Sequence, residues 1–190
     1  QPSASAQSGV ALAQQPVVQI RDASGNAVSQ SGVVVTATIA TGGGTLGGTT
    51  TATTIASGVA TFTNLSITGT IGDRTLSFTA TGLTSVVSNA INITAGAATQ
   101  LTLTTQPSAS APSGTAFAQQ PVIQLRDASG NPVSQSGVVV TAAIATGGGT
   151  LGGTATATTI GTGVASFTNL SITGTVGDRT LSFSATGLTG

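Results

Sequence analysis

The stretch Val86–Thr105, VVSNAINITAGAATQLTLTT, occurs once in this chain, whereas the residues on either side of it occur twice. Residues 1–85 return with scattered substitutions as residues 106–190, at a spacing of 105, so that Gln1-Pro2-Ser3 reappears as Gln106-Pro107-Ser108. A period near 100 is too long for the short solenoid repeats and has the size of a whole domain. The 190 residues therefore read as two tandem copies of a folding unit of about 95 residues, large enough for one modest core.

The connector itself carries strand signals. Val87, Ile91 and Ile93 share one parity in its first half, and Leu101 and Leu103 share one in its second half, the period of two of a half-buried strand. The first half reads as the last strand of copy one and the second half as the first strand of copy two. Copy one nevertheless begins at Gln1 with no QLTLTT before it, and copy two stops at Gly190 with no VVSNAINI after it. The expectation is a domain 1–96 with its first strand incomplete and a domain 97–190 with its last strand missing. The further expectation is that the chain is a window on a longer array, in which a neighbouring copy's strand fills each gap.

Outward from the connector, the same alternation recurs. Val17–Asp22 (VVQIRD) sets Val18 and Ile20 on one face, and the Asp22-Ala23-Ser24-Gly25-Asn26 turn follows, with an Asp able to bond the backbone two residues on. Val33–Ile39 (VVVTATI) reads as a second strand, Gly42–Gly48 (GGGTLGG) as a loop, and Thr49–Ile55 as a short edge strand. In Gly58–Ile67 the large apolar residues Phe62, Leu65 and Ile67 change phase near Thr63 and Asn64, which predicts a β-bulge or a bend where the strand leaves its sheet. Thr75–Thr81 places Leu76, Phe78 and Ala80 inward.

No 3.6-residue period competes, and turn residues punctuate the chain at short intervals, so the fold class expected is all-β, with two tandem antiparallel β-sandwiches of six or seven strands each. Between the copies Leu12, Val18, Ile20 and Ile71 become Phe117, Ile123, Leu125 and Val176, apolar exchanges that point to core positions.

The composition excludes several chemistries. Only 4% of residues are charged, against roughly 25% in an ordinary domain, and the formal net charge is zero. Neither a basic footprint for nucleic acid nor a polybasic patch for a membrane surface exists, and no apolar run is long enough to cross a bilayer as a helix. Without Cys there is no disulfide or thiolate site, and without His, Lys or Glu the hydroxyl nucleophiles lack a base, so no catalytic residue is expected.

The charged residues are Arg21, Asp22, Asp73 and Arg74, repeated as Arg126, Asp127, Asp178 and Arg179. Ca²⁺ asks for several carboxylates among about 6–8 oxygen ligands, and neither copy clusters its acids, so no metal site and no cofactor are expected. Instead Asp22 caps its turn, while Asp73 and Arg74 are placed in a turn before a strand, within reach of Arg21. GGGTLGGT lacks the Lys and the following helix of a phosphate-binding loop. Acceptor triplets for N-glycosylation stand at Asn64, Asn92 and Asn169.

Gln19–Val28 (QIRDASGNAV), VVVTATI, the GGGTLGG loop and Gly58–Phe62 (GVATF) resemble the bacterial immunoglobulin-like repeats of invasin- and intimin-type surface proteins. The same motifs recur at Gln124–Val133, Val138–Ile144, Gly147–Gly153 and Gly163–Phe167. The resemblance implies an immunoglobulin-like sandwich on a bacterial exterior, serving as stalk, spacer or adhesin module. The function expected is a non-catalytic structural module of an extracellular tandem array, a cell-surface stalk or a filament, whose partners are other copies of the same domain or chain. The alternative is an adhesin or carbohydrate-binding module. With almost no charge to blunt edge strands, the expectation is either that the edges are covered by neighbouring domains or chains, or that edge pairing is what the protein does.

Overall fold

The computed structural model describes residues 1–189, which divide into two compact units, Gln1–Gly96 and the part beginning at Ala97. The chain is all-β, with no helix among the described residues.

The first unit contains β1 (Ser5–Gln7), β2 (Val17–Gln19), β3 (Val34–Thr41), β4 (Thr45–Gly47) and β5 (Thr51–Thr53). These are followed by β6 (Val59–Thr61), β7 (Ser66–Thr68), β8 (Gly72–Thr79), β9 (Val86–Val87) and β10 (Ile91–Thr94). Its largest sheet runs β1-β10-β8-β3-β5, with β9 also on β8, while β2 pairs with β6 and β4 with β7. All pairs are antiparallel except β1 with β10, which run parallel.

Alternation along β3 and β8 sends Val35, Ala37, Leu76 and Phe78 into a core completed by Leu12, Ala60, Phe62, Leu65, Ile67, Ile91 and Ile93. Phe62 and Phe78 meet in a tilted pair with ring centroids 5.2 Å apart, a geometry that suits two ring quadrupoles.

The second unit contains β11 (Gln100–Thr105), β12 (Val122–Arg126), β13 (Val139–Thr146), β14 (Thr150–Gly152), β15 (Thr156–Thr158), β16 (Val164–Ser166), β17 (Ser171–Thr173) and β18 (Thr180–Ser184). Here β11 covers the edge of β12, whose other edge holds β16, while β15-β13-β18 and β14-β17 repeat the first unit's pairings. Its core gathers Ile123, Val140, Ala142, Ala157, Ala165, Phe167 and Leu170.

Several details depart from the expectations. Part of the glycine-rich segment is a strand, because Thr45–Gly47 ladders onto Ser66–Thr68 once Gly42, Gly43 and Gly44, all at positive φ, have reversed the chain. The phase change after Phe62 is a change of sheet: β6 pairs with β2, Asn64 bends the chain at φ 57°, and β7 continues on β4. The connector holds three strands in place of two, since Val86 and Val87 form a separate exposed pair on β8 before β10 begins. The described residues form ten strands in the first unit and eight in the second, more than six or seven per copy, in part because the chain breaks at Asn64 and Asn169 between β6 and β7 and between their counterparts in the second unit. Ile71 and Val176 are not core residues: both are exposed, Val176 fully.

One side chain substitutes for a missing ladder. Gln15 donates through Nε2 to Leu12 O at 2.8 Å and accepts from Leu65 N at 2.9 Å, so an amide side chain extends the pairing of the two segments beyond the Leu12 N–Leu65 O bond. Gln120 repeats this with Phe117 O and Leu170 N.

Candidate functional site

The charged residues serve the backbone. Asp22 accepts from Ser24 N at 3.0 Å and Asn26 N at 2.8 Å through Oδ1, and from Asn26 Nδ2 at 3.0 Å through Oδ2. The Asn26 side-chain bond, followed by the Asn26 backbone bond, holds the Asp22 carboxyl below its ordinary range. Arg21 donates to Gly25 O across the same turn, so it is a turn partner and does not reach toward Asp73.

Asp73 and Arg74 do not lie in a turn. They are the second and third residues of β8, paired with Asn92 and Ile91 of β10. Arg74 is only 4% exposed, and its guanidinium binds carbonyls: Nε to Gly43 O at 2.9 Å, one terminal nitrogen to Asp73 O at 3.0 Å, the other to Thr70 O at 2.6 Å. A buried cation is tolerable here because several donors of its planar fork meet oxygen. Among the described residues no group of three or more His, Cys, Asp or Glu side chains comes together.

The three glycosylation triplets separate. Asn64 and Asn169 are exposed at positive φ, at the change of sheet, whereas Asn92 lies within β10 and donates through Nδ2 to Asp73 Oδ1 at 2.8 Å.

The features that distinguish the two units are two grooves, each inside one unit. In the first unit β10 lies between β1 and β8. Ser5, Ala6 and Gln7 face Asn92, Ile93 and Thr94, while Ile91, Asn92 and Ile93 face Arg74, Asp73 and Gly72. Asn92 N donates to Ala4 O and Ser8 N to Thr94 O, both at 2.9 Å.

The corresponding place in the second unit is a groove of about 820 Å³. Its walls are the counterparts of β1, at Ser110–Pro112, and of the first half of β8, at Gly177–Arg179; Phe117, Ile172, Leu181 and Phe183 line it. Ile67, Leu76 and Phe78 are buried beneath β10, whereas their counterparts Ile172, Leu181 and Phe183 are half-buried.

The first unit has the converse groove, of about 740 Å³, along Val17–Arg21 and Thr84, with Phe78 and Val35 lining it. In the second unit that position holds β11, whose Gln100–Leu103 faces Arg126–Ile123 and whose Leu101 N donates to Thr189 O at 2.8 Å. Leu101 and Leu103 pack on the core there, and Ile123 is buried where its counterpart Val18 is half-buried.

Each groove thus lies where the sister unit carries a strand, β11 in the second unit and β10 in the first. The sequence signal for both was the connector's single occurrence; the signal for Arg74 was absent, since nothing adjacent marks a cation that binds remote carbonyls. No family model, no curated protein and no solved structure matches this chain.

Proposed function

We propose that this chain is a non-catalytic structural module of an extracellular tandem array of immunoglobulin-like β-sandwich domains, serving as a cell-surface stalk or as part of a filament. The observation that carries this reading is the repetition of a whole folding unit together with its internal bonding. Gln15 and Gln120, Arg74 and Arg179, and the Asp22 and Asp127 turns make the same contacts at corresponding places. Repetition of a unit with its own core adds length by simple addition, and near-absence of charge and of titratable bases fits a scaffold better than a reaction centre. Exposed apolar side chains on outer strands, Val17 of β2 and Val86 of β9, suit a chain whose edges meet other copies.

Immunogold labelling of intact producing cells, with an antibody raised against the chain, tests the reading. Label outside the cell envelope, on stalks or fibres, is the expected result; label confined to the cell interior overturns it.

A further inference from the structure

We infer that the fold withholds this chain from endoproteases that select basic side chains. All four of its Arg serve as backbone clamps, and an exposed, unladdered loop present in both units holds no basic residue. This depends on the bonds within the two units and not on where the chain is displayed.

Arg21, Arg74, Arg126 and Arg179 are the only basic side chains in the sequence, so cleavage of this class is confined to the four peptide bonds that follow them. An endoprotease of the trypsin type takes a basic side chain into an acidic pocket and lays the residues around the scissile bond out as an extended strand in its cleft. Both demands must be met together. A guanidinium that already donates to carbonyls, on a backbone that is already paired, meets neither until those bonds open.

Arg21 is exposed, yet its Nη1 donates to Gly25 O at 2.6 Å. The peptide bond after it is held as well, because Asp22 N donates to Asn26 O at 3.0 Å and Arg21 bridges to Ala27 across the turn. Arg126 repeats the clamp on Gly130 O at 2.6 Å, and Asp127 N donates to Asn131 O at 3.0 Å. The Arg126 carbonyl also accepts from Thr99 N at 2.8 Å, and Arg126 is paired with Gln100 of β11. Arg74 commits its buried fork to Gly43 O, Asp73 O and Thr70 O, while the ladder pairs Arg74 with Ile91 and Thr75 with Thr41. Arg179 makes the corresponding bonds to Gly148 O, Asp178 O and Thr175 O, and Thr180 is paired with Thr146.

The open loop has a different composition. Ser29-Gln30-Ser31-Gly32, ahead of β3, is exposed and outside any ladder, tied down only where Gln30 O and Gly32 N meet Thr54. Ser134–Gly137 is the exposed counterpart ahead of β13, and both copies read Ser-Gln-Ser-Gly. Exposed loops of small and polar residues are where endoproteases nick folded proteins. Here the accessible backbone lacks the side chain, and the side chains lack accessible backbone. Cleavage therefore waits on the opening of a turn or of a sheet and tracks the population of that open form.

The test is trypsin digestion of the intact 190-residue chain, followed by mass spectrometry, beside Ser29→Arg, Ser134→Arg and a synthetic peptide of residues 15–30. The unmodified chain should persist. Each variant should be cut after its new Arg at least about tenfold faster than the unmodified chain is cut after any Arg, with the four original sites left intact. The peptide, whose turn is free to open, should likewise be cut after Arg21 at least about tenfold faster than the chain. The two units carry the same loop, so a variant that unfolds one leaves the other to decide.

Cleavage of the unmodified chain after Arg21 or Arg126 as fast as after either introduced Arg would overturn the proposal. So would two folded variants as resistant as the unmodified chain, since resistance would then belong to every loop. A peptide as slow as the chain would overturn it too, by assigning the resistance at Arg21 to the Asp that follows. None of these results alters the labelling of cells, so the two readings fail separately.

Discussion

Arg74 donates through Nε to Gly43 O at 2.9 Å, tying the third residue of β8 to the glycine turn that starts β4. With Thr70 O also bound, the guanidinium bridges two loops whose carbonyls have no ladder partner at that point. Arg74→Ala strands these oxygens in a buried place and should cost the first unit about 2–4 kcal/mol. Arg74→Lys should recover little of it, since an ammonium lacks the planar fork. Arg179→Ala, at a half-buried site with the same partners, should cost about 1 kcal/mol or less, because water reaches the freed carbonyls. Differential scanning calorimetry of the three variants gives the comparison.

Alternation made β3 and β8 legible from sequence, because period two in Val35, Ala37, Leu76 and Phe78 has one geometric meaning when one face is buried. The pairing partners were less legible. Three-residue strands such as Thr45–Gly47 are specified by what lies opposite, here Ser66–Thr68, and a glycine-rich segment still offers backbone groups to a ladder. Ile71 and Val176 misled for the opposite reason: an apolar exchange between copies signals a core only where the backbone turns that side chain inward, and both point to solvent from a bend. The connector's single occurrence was the one sequence sign that the two units differ; that Phe117, Leu181 and Phe183 come together along a groove is a matter of packing that no local pattern displays.

Leu76 and Leu181 occupy corresponding positions in unequal surroundings, the first fully buried and the second half-buried beside the groove. Truncation to Ala should therefore cost about 3–4 kcal/mol at Leu76 and roughly half that at Leu181, where neither the transfer loss nor the cavity is complete. The chain has neither Trp nor Tyr, so calorimetry or circular dichroism, with urea as denaturant, is the suitable readout. Equal losses at the two sites would show that the groove closes in solution.

Asp22 titrates with a predictable sign. Bonds from the Asn26 side chain and then the Asn26 backbone favour the carboxylate, so the folded-state pKa lies below the unfolded one. Stability from this group is present above the ordinary carboxylate pKa near 3.8 and is lost as pH falls from there through the lower folded value. Asp22→Asn should thus destabilise the first unit at pH 6, and the gap to the unmodified chain should narrow below pH 4. A gap that widens on acidification would contradict the turn assignment.

Gly58 and Gly25 have similar left-handed backbones, at φ 75° and 84°, but differ in what a side chain would meet. At Gly25 a Cβ points into open space, so Gly25→Ala carries backbone strain alone, about 1 kcal/mol. At Gly58 the Cβ would land on the Val28 carbonyl oxygen, and Gly58 O also accepts from Ile20 N, so the strand cannot step aside without losing the Ile20 pairing. Gly58→Ala should therefore cost about 3 kcal/mol or more, combining the left-handed strain with a backbone displacement. Gly163 stands in the same relation to Val133 O and Leu125 N, and Gly163→Ala should be equally severe in the second unit. Urea denaturation of the three variants, followed by circular dichroism, measures this, and a Gly58→Ala variant as stable as Gly25→Ala would disprove the close approach.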